Sequence, residues 1–534
     1  MRSQSFAANS VSYSKGCSGK GQVRMGSWWG TAARNYAQAP TRTVAAVSGA
    51  VGLALAAGGV AAAGPWHGGQ RTSEWEWARG AVVYRGGYAQ VRPRPVPRPA
   101  WVAPQTVLSG AVVGSSVDGS VGGSPTAGPS GSVDAAPTAK GLAAALGPAL
   151  AAPVLGQFTA SVVDAATGKT LYAKGQDTPQ APASTNKIAT SVAALSLLGP
   201  EHRFTTRVVS TAPGQIVLVG GGDPTLTAAP TSGADPRASL ATLADRTAAA
   251  LKASGSSTVR LGYDISLFSG PAQTPAANVG DNIALVQALT VDEGRIDPNS
   301  TENAPRYSDP AATAAARFAA LLVKRGIAVQ QSSPSRTTVS AAVKAAAPLA
   351  QVRSQPLSEI VEQMLTASDN DYAEALGHQA ALASGRPATF AGGAAAVTQA
   401  LTALGVPLGS TRLVDASGLS ADDGIPAAVL TKLLLLAASS AHPELRAVVT
   451  GLPIAGYTGT LADRFAGDSS NSGVGLVRAK TGSLSTVNTL AGLVMDRDGR
   501  LLAFSFMSNA SGDVTAARNA LDRLAGRVAV CGCR

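Results

Sequence analysis

Histidine is scarce in this chain, with four residues in 534, and so is cysteine, with Cys17, Cys531 and Cys533 only. No histidine lies near the terminal cysteine pair, which excludes a structural zinc site there. A disulfide-rich scaffold is excluded as well, leaving at most a small, strained local bridge between Cys531 and Cys533 in an oxidising compartment. Aromatic residues make up 4%, so a core must come from small aliphatic side chains, and 45% hydrophobic content over this length suffices to build one. Acids are outnumbered, 32 Asp and Glu against 43 Lys and Arg, for a net charge of +11. Such an excess suits an anionic polymer as partner. Its distribution argues against nucleic acid, because residues 1–42 hold Arg2, Lys15, Lys20, Arg24, Arg34 and Arg42 with no acid, and residues 71–98 add further arginines.

Long hydrophobic runs are also rare, and the one that matters is residues 43–64, free of charge and rich in Ala, Val, Leu and Gly. It is long enough to span a bilayer once. The basic lead before it places the N-terminus inside and the rest outside. A small-residue stretch, Ala61-Ala62-Ala63-Gly64, allows a cleaved signal instead of a retained anchor, and both readings export the chain. Residues 65–135 are rich in Pro, Gly and Ser, including the polyproline-II repeat Arg92-Pro93-Arg94-Pro95-Val96-Pro97-Arg98-Pro99, and form a disordered linker.

Three motifs then follow in order: Ser184-Thr185-Asn186-Lys187, Ser368-Asp369-Asn370 and Lys480-Thr481-Gly482. Each is weak alone, and Ser12 to Lys15 and Ser469-Ser470-Asn471 are decoys for two of them. Their conjunction is specific, being the set found in class A β-lactamases and penicillin-binding proteins. The apolar run 188–198 puts Ser184 at a helix N-terminus, where the dipole favours negative charge. Lys187 returns to the same helical face and can serve as the base, its pKa lowered by burial and by the nearby cation Lys480. Ser368 and Asn370 lie at a corner between helices expected at 357–367 and 372–380, with Ser368 relaying a proton, Asn370 donating to a substrate carbonyl and Asp369 capping. Strand character over 478–494, paired with 501–508, carries Lys480 and Thr481 for a terminal carboxylate. Gly482 there is expected to keep the strand open to substrate. The Ser483 and Ser184 N–H groups form an oxyanion hole. Further elements are a short helix at 140–146 stopped by Gly147-Pro148, a hairpin of 158–163 with 170–173, and a covering helix at 514–524.

Beyond these motifs, Gly220-Gly221-Gly222-Asp223-Pro224-Thr225-Leu226, Val291-Asp292-Glu293-Gly294-Arg295 and Asp415-Ala416-Ser417-Gly418-Leu419-Ser420 are similar to recurrent segments of one family. From about residue 137 onward the chain resembles the D-alanyl-D-alanine carboxypeptidase/endopeptidases of the penicillin-binding-protein-4 type, peptidase family S13. The resemblance implies an α+β fold of the serine β-lactamase/DD-peptidase kind: a five-stranded antiparallel sheet flanked by helices, plus a helical lobe. Alternating strand and helix signals over residues 200–340 read as an inserted α/β domain, splitting the peptidase domain into 136–199 and 341–534. The implied activity is serine-type D-Ala-D-Ala carboxypeptidase action on peptidoglycan stem peptides, with an endopeptidase activity at the same site. β-Lactams are then covalent inhibitors, no cofactor or metal is needed, and the place of action is extracytoplasmic. The competing readings are a serine β-lactamase, which differs in fast deacylation, and a catalytically silent wall-binding protein.

Overall fold

The computed structural model describes residues 137–532 apart from 233–235, 278, 301–302 and 468. The basic lead, the apolar run 43–64 and the linker lie outside the described residues. In chain order come helix α1 (Ala139–Leu150), strands β1 (Gln157–Asp164) and β2 (Thr170–Lys174), and helix α2 (Asn186–Leu198). Next are β3 (Thr205–Ala212), β4 (Gln215–Val219), α3 (Leu240–Ala253), β5 (Thr258–Asp264), α4 (Pro310–Lys324) and β6 (Ala350–Arg353). Then follow α5 (Leu357–Ala367), α6 (Asn370–Ala383), α7 (Phe390–Ala403) and α8 (Ala427–Ala438), and the chain closes with β7 (Val477–Leu484), β8 (Val487–Met495), β9 (Leu501–Asn509) and α9 (Val514–Ala529).

The main sheet is antiparallel with order β7-β8-β9-β1-β2, so the ends of the chain's folded part meet where β9 pairs with β1. Alternation along its central strands buries both faces. Leu490 and Val494 of β8, with Leu502, Phe504 and Phe506 of β9, pack with Leu142 and Leu146 of α1 and Leu521, Leu524 and Val528 of α9. The intervening Ala491, Leu493, Ala503 and Met507 face the other way, into a core shared with α2, α5, α6, α7 and α8. Each fully buried large side chain contributes about 2 kcal/mol of burial. A second, mixed sheet runs β5-β4-β3-β6, with β4 and β5 parallel, and packs α3 and α4 onto its own core. Its last strand, β6, lies beyond residue 340.

Several local expectations change. Helix α1 continues through Gly147-Pro148 to Leu150. Proline in a helix costs about 3 kcal/mol, and here burial of Leu142, Leu146 and Ala149 offsets it. The strand read over 478–494 is a hairpin, β7 turning into β8, and β9 pairs with β8 instead of with the strand of Lys480. Lys480 therefore stands on the edge strand of its sheet. The covering helix runs five residues further than expected, to Ala529. Cys531 is disulfide-bonded, and its partner lies outside the described residues. Among the described residues no helix is long and apolar enough to cross a membrane.

Candidate active site

Ser184 sits in a 3-10 turn, Ala183–Thr185, that leads into α2. The turn is tied to the sheet at several points. Thr489 Oγ1 of β8 donates to the Pro182 carbonyl at 2.7 Å, and Asn509 of β9 both accepts from the Ala181 N–H and donates to its carbonyl. Ala183 holds a left-handed φ of 46°, an unfavourable state for a residue with a β-carbon that the surrounding ties maintain one position before the serine. Gly482 of β7 faces this turn: a β-carbon there would lie 2.7 Å from the Pro182 carbonyl and 2.2 Å from Thr489 Oγ1. The glycine thus lets the Lys480 strand close on the serine turn, a packing requirement that the sequence did not reveal.

Lys187, the second residue of α2, is fully buried and donates from Nζ to Ser184 Oγ at 2.9 Å, Asn370 Oδ1 at 2.7 Å and the Ser417 carbonyl at 2.8 Å. Burial pulls its amine down to about 8, while Asp415, Asp369, Glu374 and Asp371 push the other way. Burial, then the Lys187 charge, then that of Arg464 hold the fully buried Lys480 well below the ordinary lysine range, so the two amines oppose each other's protonation. Lys480 Nζ donates to the Thr481 carbonyl at 3.0 Å, and the Thr481 hydroxyl pairs with that of Thr460 at 2.7 Å. Ser483, next along β7, is exposed.

The second motif is the corner between α5 and α6. Ser368 adopts a left-handed φ of 62° at the C-cap of α5, and Asp369 caps α6 by accepting from the Tyr372 N–H, a contact worth about 1 kcal/mol. Ser368 is half-buried, and its hydroxyl makes no hydrogen bond among the described residues. Asn370 opens α6 with its carbonyl oxygen on Lys187, and its amide N–H donates to the Asn282 carbonyl at 3.1 Å. One of the two amide hydrogens expected for substrate is therefore engaged by the chain itself.

The segments singled out as recurrent converge here. Glu293, left-handed at φ 53°, pairs with Arg295, which also approaches Asp369 at 3.7 Å. Arg306 pairs with Asp371 at 2.9 Å. Carboxylate oxygens of Glu293, Asp369 and Asp371 lie within 4.8 Å of one another, a crowding that the two guanidinium groups neutralise. Burial, reinforced by the Asp369 charge, pushes Glu293 and Asp371 up. Gln379 donates to the Gly221 carbonyl at 2.8 Å, tying α6 to the glycine-rich segment. The Asp415–Ser420 loop supplies the Ser417 carbonyl. Sequence reasoning marked these segments without assigning them positions, and it missed Asn282 and Thr460, whose local sequences carry no distinguishing signal. The decoy Ser470-Asn471 packs away from the cleft against α9, with Ser472 donating to the Gly526 carbonyl.

A buried lysine touching a serine at a helix start, beside a sheet edge bearing a second buried lysine, is the arrangement of a serine peptidase of the penicillin-binding kind. Comparison with known proteins agrees. The D-Ala-D-Ala carboxypeptidase 3 (S13) family matches residues 142–306 and 302–529. A carboxypeptidase of Mycobacterium tuberculosis is 40% identical over 404 residues, 74% of this chain and 85% of the relative. The carboxypeptidase DacB of Mycolicibacterium smegmatis is 40% identical over 407 residues, again 74% and 85%. The crystal structure of penicillin-binding protein 4 from Haemophilus influenzae shares the fold, with a TM-score of 0.57 at 23% identity over 72% of this chain and 99% of that one. The chain belongs to the S13 family of D-Ala-D-Ala carboxypeptidases. It is a serine-type enzyme of peptidoglycan metabolism, and the location of that polymer makes its action extracytoplasmic.

Proposed function

We propose that Ser184 is the nucleophile and Lys187 its base in removing the terminal D-Ala from stem peptides. One observation carries this reading. Of the three partners of Lys187 Nζ, the Asn370 and Ser417 oxygens can only accept. A neutral amine has two N–H bonds to give them, so its lone pair is left facing the Ser184 hydroxyl. Lys187 takes that proton as Ser184 Oγ attacks the penultimate D-Ala carbonyl. The oxyanion rests on the N–H groups of Ser184 and Ser483, donors worth about 3 to 4 kcal/mol each in serine enzymes. Collapse breaks the peptide bond, Ser368 passes a proton to the leaving D-Ala amine, and water then cleaves the ester.

Lys480 and the Thr481 hydroxyl hold the terminal carboxylate, with Gly482 keeping β7 against the serine turn. Asn370 gives its remaining amide hydrogen to the substrate. Cross-linked stem peptides fit the same chemistry as an endopeptidase reaction. β-Lactams acylate Ser184 and stay, because their leaving group remains tethered. Residues 43–64 export the chain, as an anchor or a cleaved signal.

The test is incubation of the full chain with benzylpenicillin, followed by intact mass and peptide mapping, alongside D-Ala release from a D-Ala-D-Ala peptide. A lasting adduct on Ser184, lost together with D-Ala release in Ser184→Ala, is expected. Drug hydrolysis without a lasting adduct would return the reading to β-lactamase.

A further inference from the structure

The Ser417 carbonyl that receives Lys187 belongs to the peptide joining Ser417 to Gly418, and the other end of that peptide is held by a buried carboxylate. Gly418 N–H donates to Asp415 Oδ1 at 2.6 Å, Ser417 N–H reaches the same oxygen at 3.1 Å, and Ser420 N–H donates to Oδ2 at 2.7 Å. In a trans peptide the N–H and C=O point in opposite directions. Holding Gly418 N–H on Asp415 therefore aims the Ser417 carbonyl away from Asp415 and onto Lys187. Gly418 is obligatory in this arrangement, since its φ is +81° and a β-carbon would lie 1.9 Å from the Ala183 carbonyl.

The loop is fastened to α2 on either side of this contact. Asn186 Nδ2 donates to the Asp415 carbonyl at 3.1 Å, and Thr190 Oγ1 to the Ala416 carbonyl at 2.6 Å. Glu374, one turn after Asn370 on α6, accepts from the N–H groups of Ala416 and Ser417.

The charges around Lys187 divide clearly. Asp369 and Asp371 have Arg295 and Arg306 beside them. Glu374 and Asp423 are pushed up, by burial first and then by the Asp415 charge. Lys480 faces Lys187 as a second buried amine. Asp415 is fully buried and forms no ion pair with a lysine or arginine among the described residues. Across the Ser417–Gly418 peptide, Lys187 is its counter-charge.

We propose that Asp415 is a positioning residue for Lys187. Through the Ser417–Gly418 peptide it fixes the direction of the Lys187 amine, and its charge sets the pH above which Ser184 is acylated. This rests on the reading of Lys187 as base.

The experiment measures the second-order rate of acylation of the full chain by benzylpenicillin, by intact mass, from pH 5.5 to 10. Asp415→Asn removes the charge and two of its acceptor positions. Its plateau should fall, and its acid limb should move to lower pH by about one unit, because an ammonium without its carboxylate gives up a proton more readily. Asp415→Glu keeps the charge but misplaces the oxygens, so its plateau should fall while its limb stays at the wild-type pH.

An Asp415→Asn limb at the wild-type pH overturns the proposal whatever the plateau. If that variant does not fold, a limb displaced in Asp415→Glu overturns it, and an undisplaced limb with a lowered plateau supports it. A wild-type profile with no limb, or an adduct elsewhere than Ser184, removes the base reading itself and the proposal with it. A wild-type limb that Asp415→Asn leaves in place removes the proposal alone.

Discussion

Gly482 and Pro182 are in such close register that a β-carbon on Gly482 would stand 2.7 Å from the Pro182 carbonyl, with Thr489 Oγ1 closer still at 2.2 Å. Backbone on one side and a hydrogen-bonded threonine on the other leave nothing that can yield cheaply. Gly482→Ala should therefore push β7 off the serine turn. The expected result is a loss of about 1 to 3 kcal/mol in stability and at least a tenfold slower acylation by benzylpenicillin, read by denaturant melts and intact mass.

With Lys187 as the proposed base, acylation needs its amine neutral, and burial brings that amine from 10.5 down to about 8. Protonation below that value removes the lone pair that faces Ser184. The acylation rate should rise about tenfold per pH unit up to roughly pH 8 and then level. A rate independent of pH from 6 to 8 would exclude Lys187 as the base.

Thr460 orients the Thr481 hydroxyl at 2.7 Å, and its loop is brought in by Gly459, where a β-carbon would meet the Thr366 carbonyl at 2.2 Å. If Thr460 gives its proton to Thr481, the Thr481 hydroxyl is free to donate to a terminal carboxylate. Thr460→Val should raise KM for a D-Ala-D-Ala peptide about fivefold, the worth of one hydrogen bond near 1 kcal/mol, with kcat little changed. Against a C-terminally amidated peptide the two proteins should perform alike.

Arg306 and Asp371 are joined at 2.9 Å with side chains 7% and 11% exposed. Arg306→Ala leaves a buried carboxylate unpaired, a loss of about 3 to 5 kcal/mol where that carboxylate is charged. Asp371 is already pushed up by burial and by the Asp369 charge, and without Arg306 it rises further. A carboxyl raised above its unfolded value takes up a proton on folding, so the variant loses stability as pH rises from the unfolded value near 3.8 through the folded one. Melts of Arg306→Ala should show a larger deficit at pH 8 than at pH 5, and adding Asp371→Asn should recover most of it.

Local chemistry was enough to place the motif residues on their elements. Ser184 at a helix start, Lys187 on the same face, Asp369 as a cap and the antiparallel hairpins all follow from short-range spacing and propensity, which act within a few residues. The extent of α1 did not, because burial of Leu142 and Leu146 against α9 outweighs the proline that local rules treat as a stop. The strand pairing of Lys480 was also misread, since strand character continuing over 478–494 does not reveal the turn at Ser485-Thr486 that divides it.

By itself, then, the sequence determined the family to which this protein belongs, because the serine, the two lysines and the motifs that carry them are each written in three or four adjacent residues. Only the tertiary structure decided how those groups are tuned. The Lys187 amine is held by Asn370, 183 positions away, and by Ser417, 230 positions away. Burial of both lysines comes from packing α2 between the sheet and the helical lobe. Direction and desolvation depend on what lies across the fold, and no spacing along the chain encodes them.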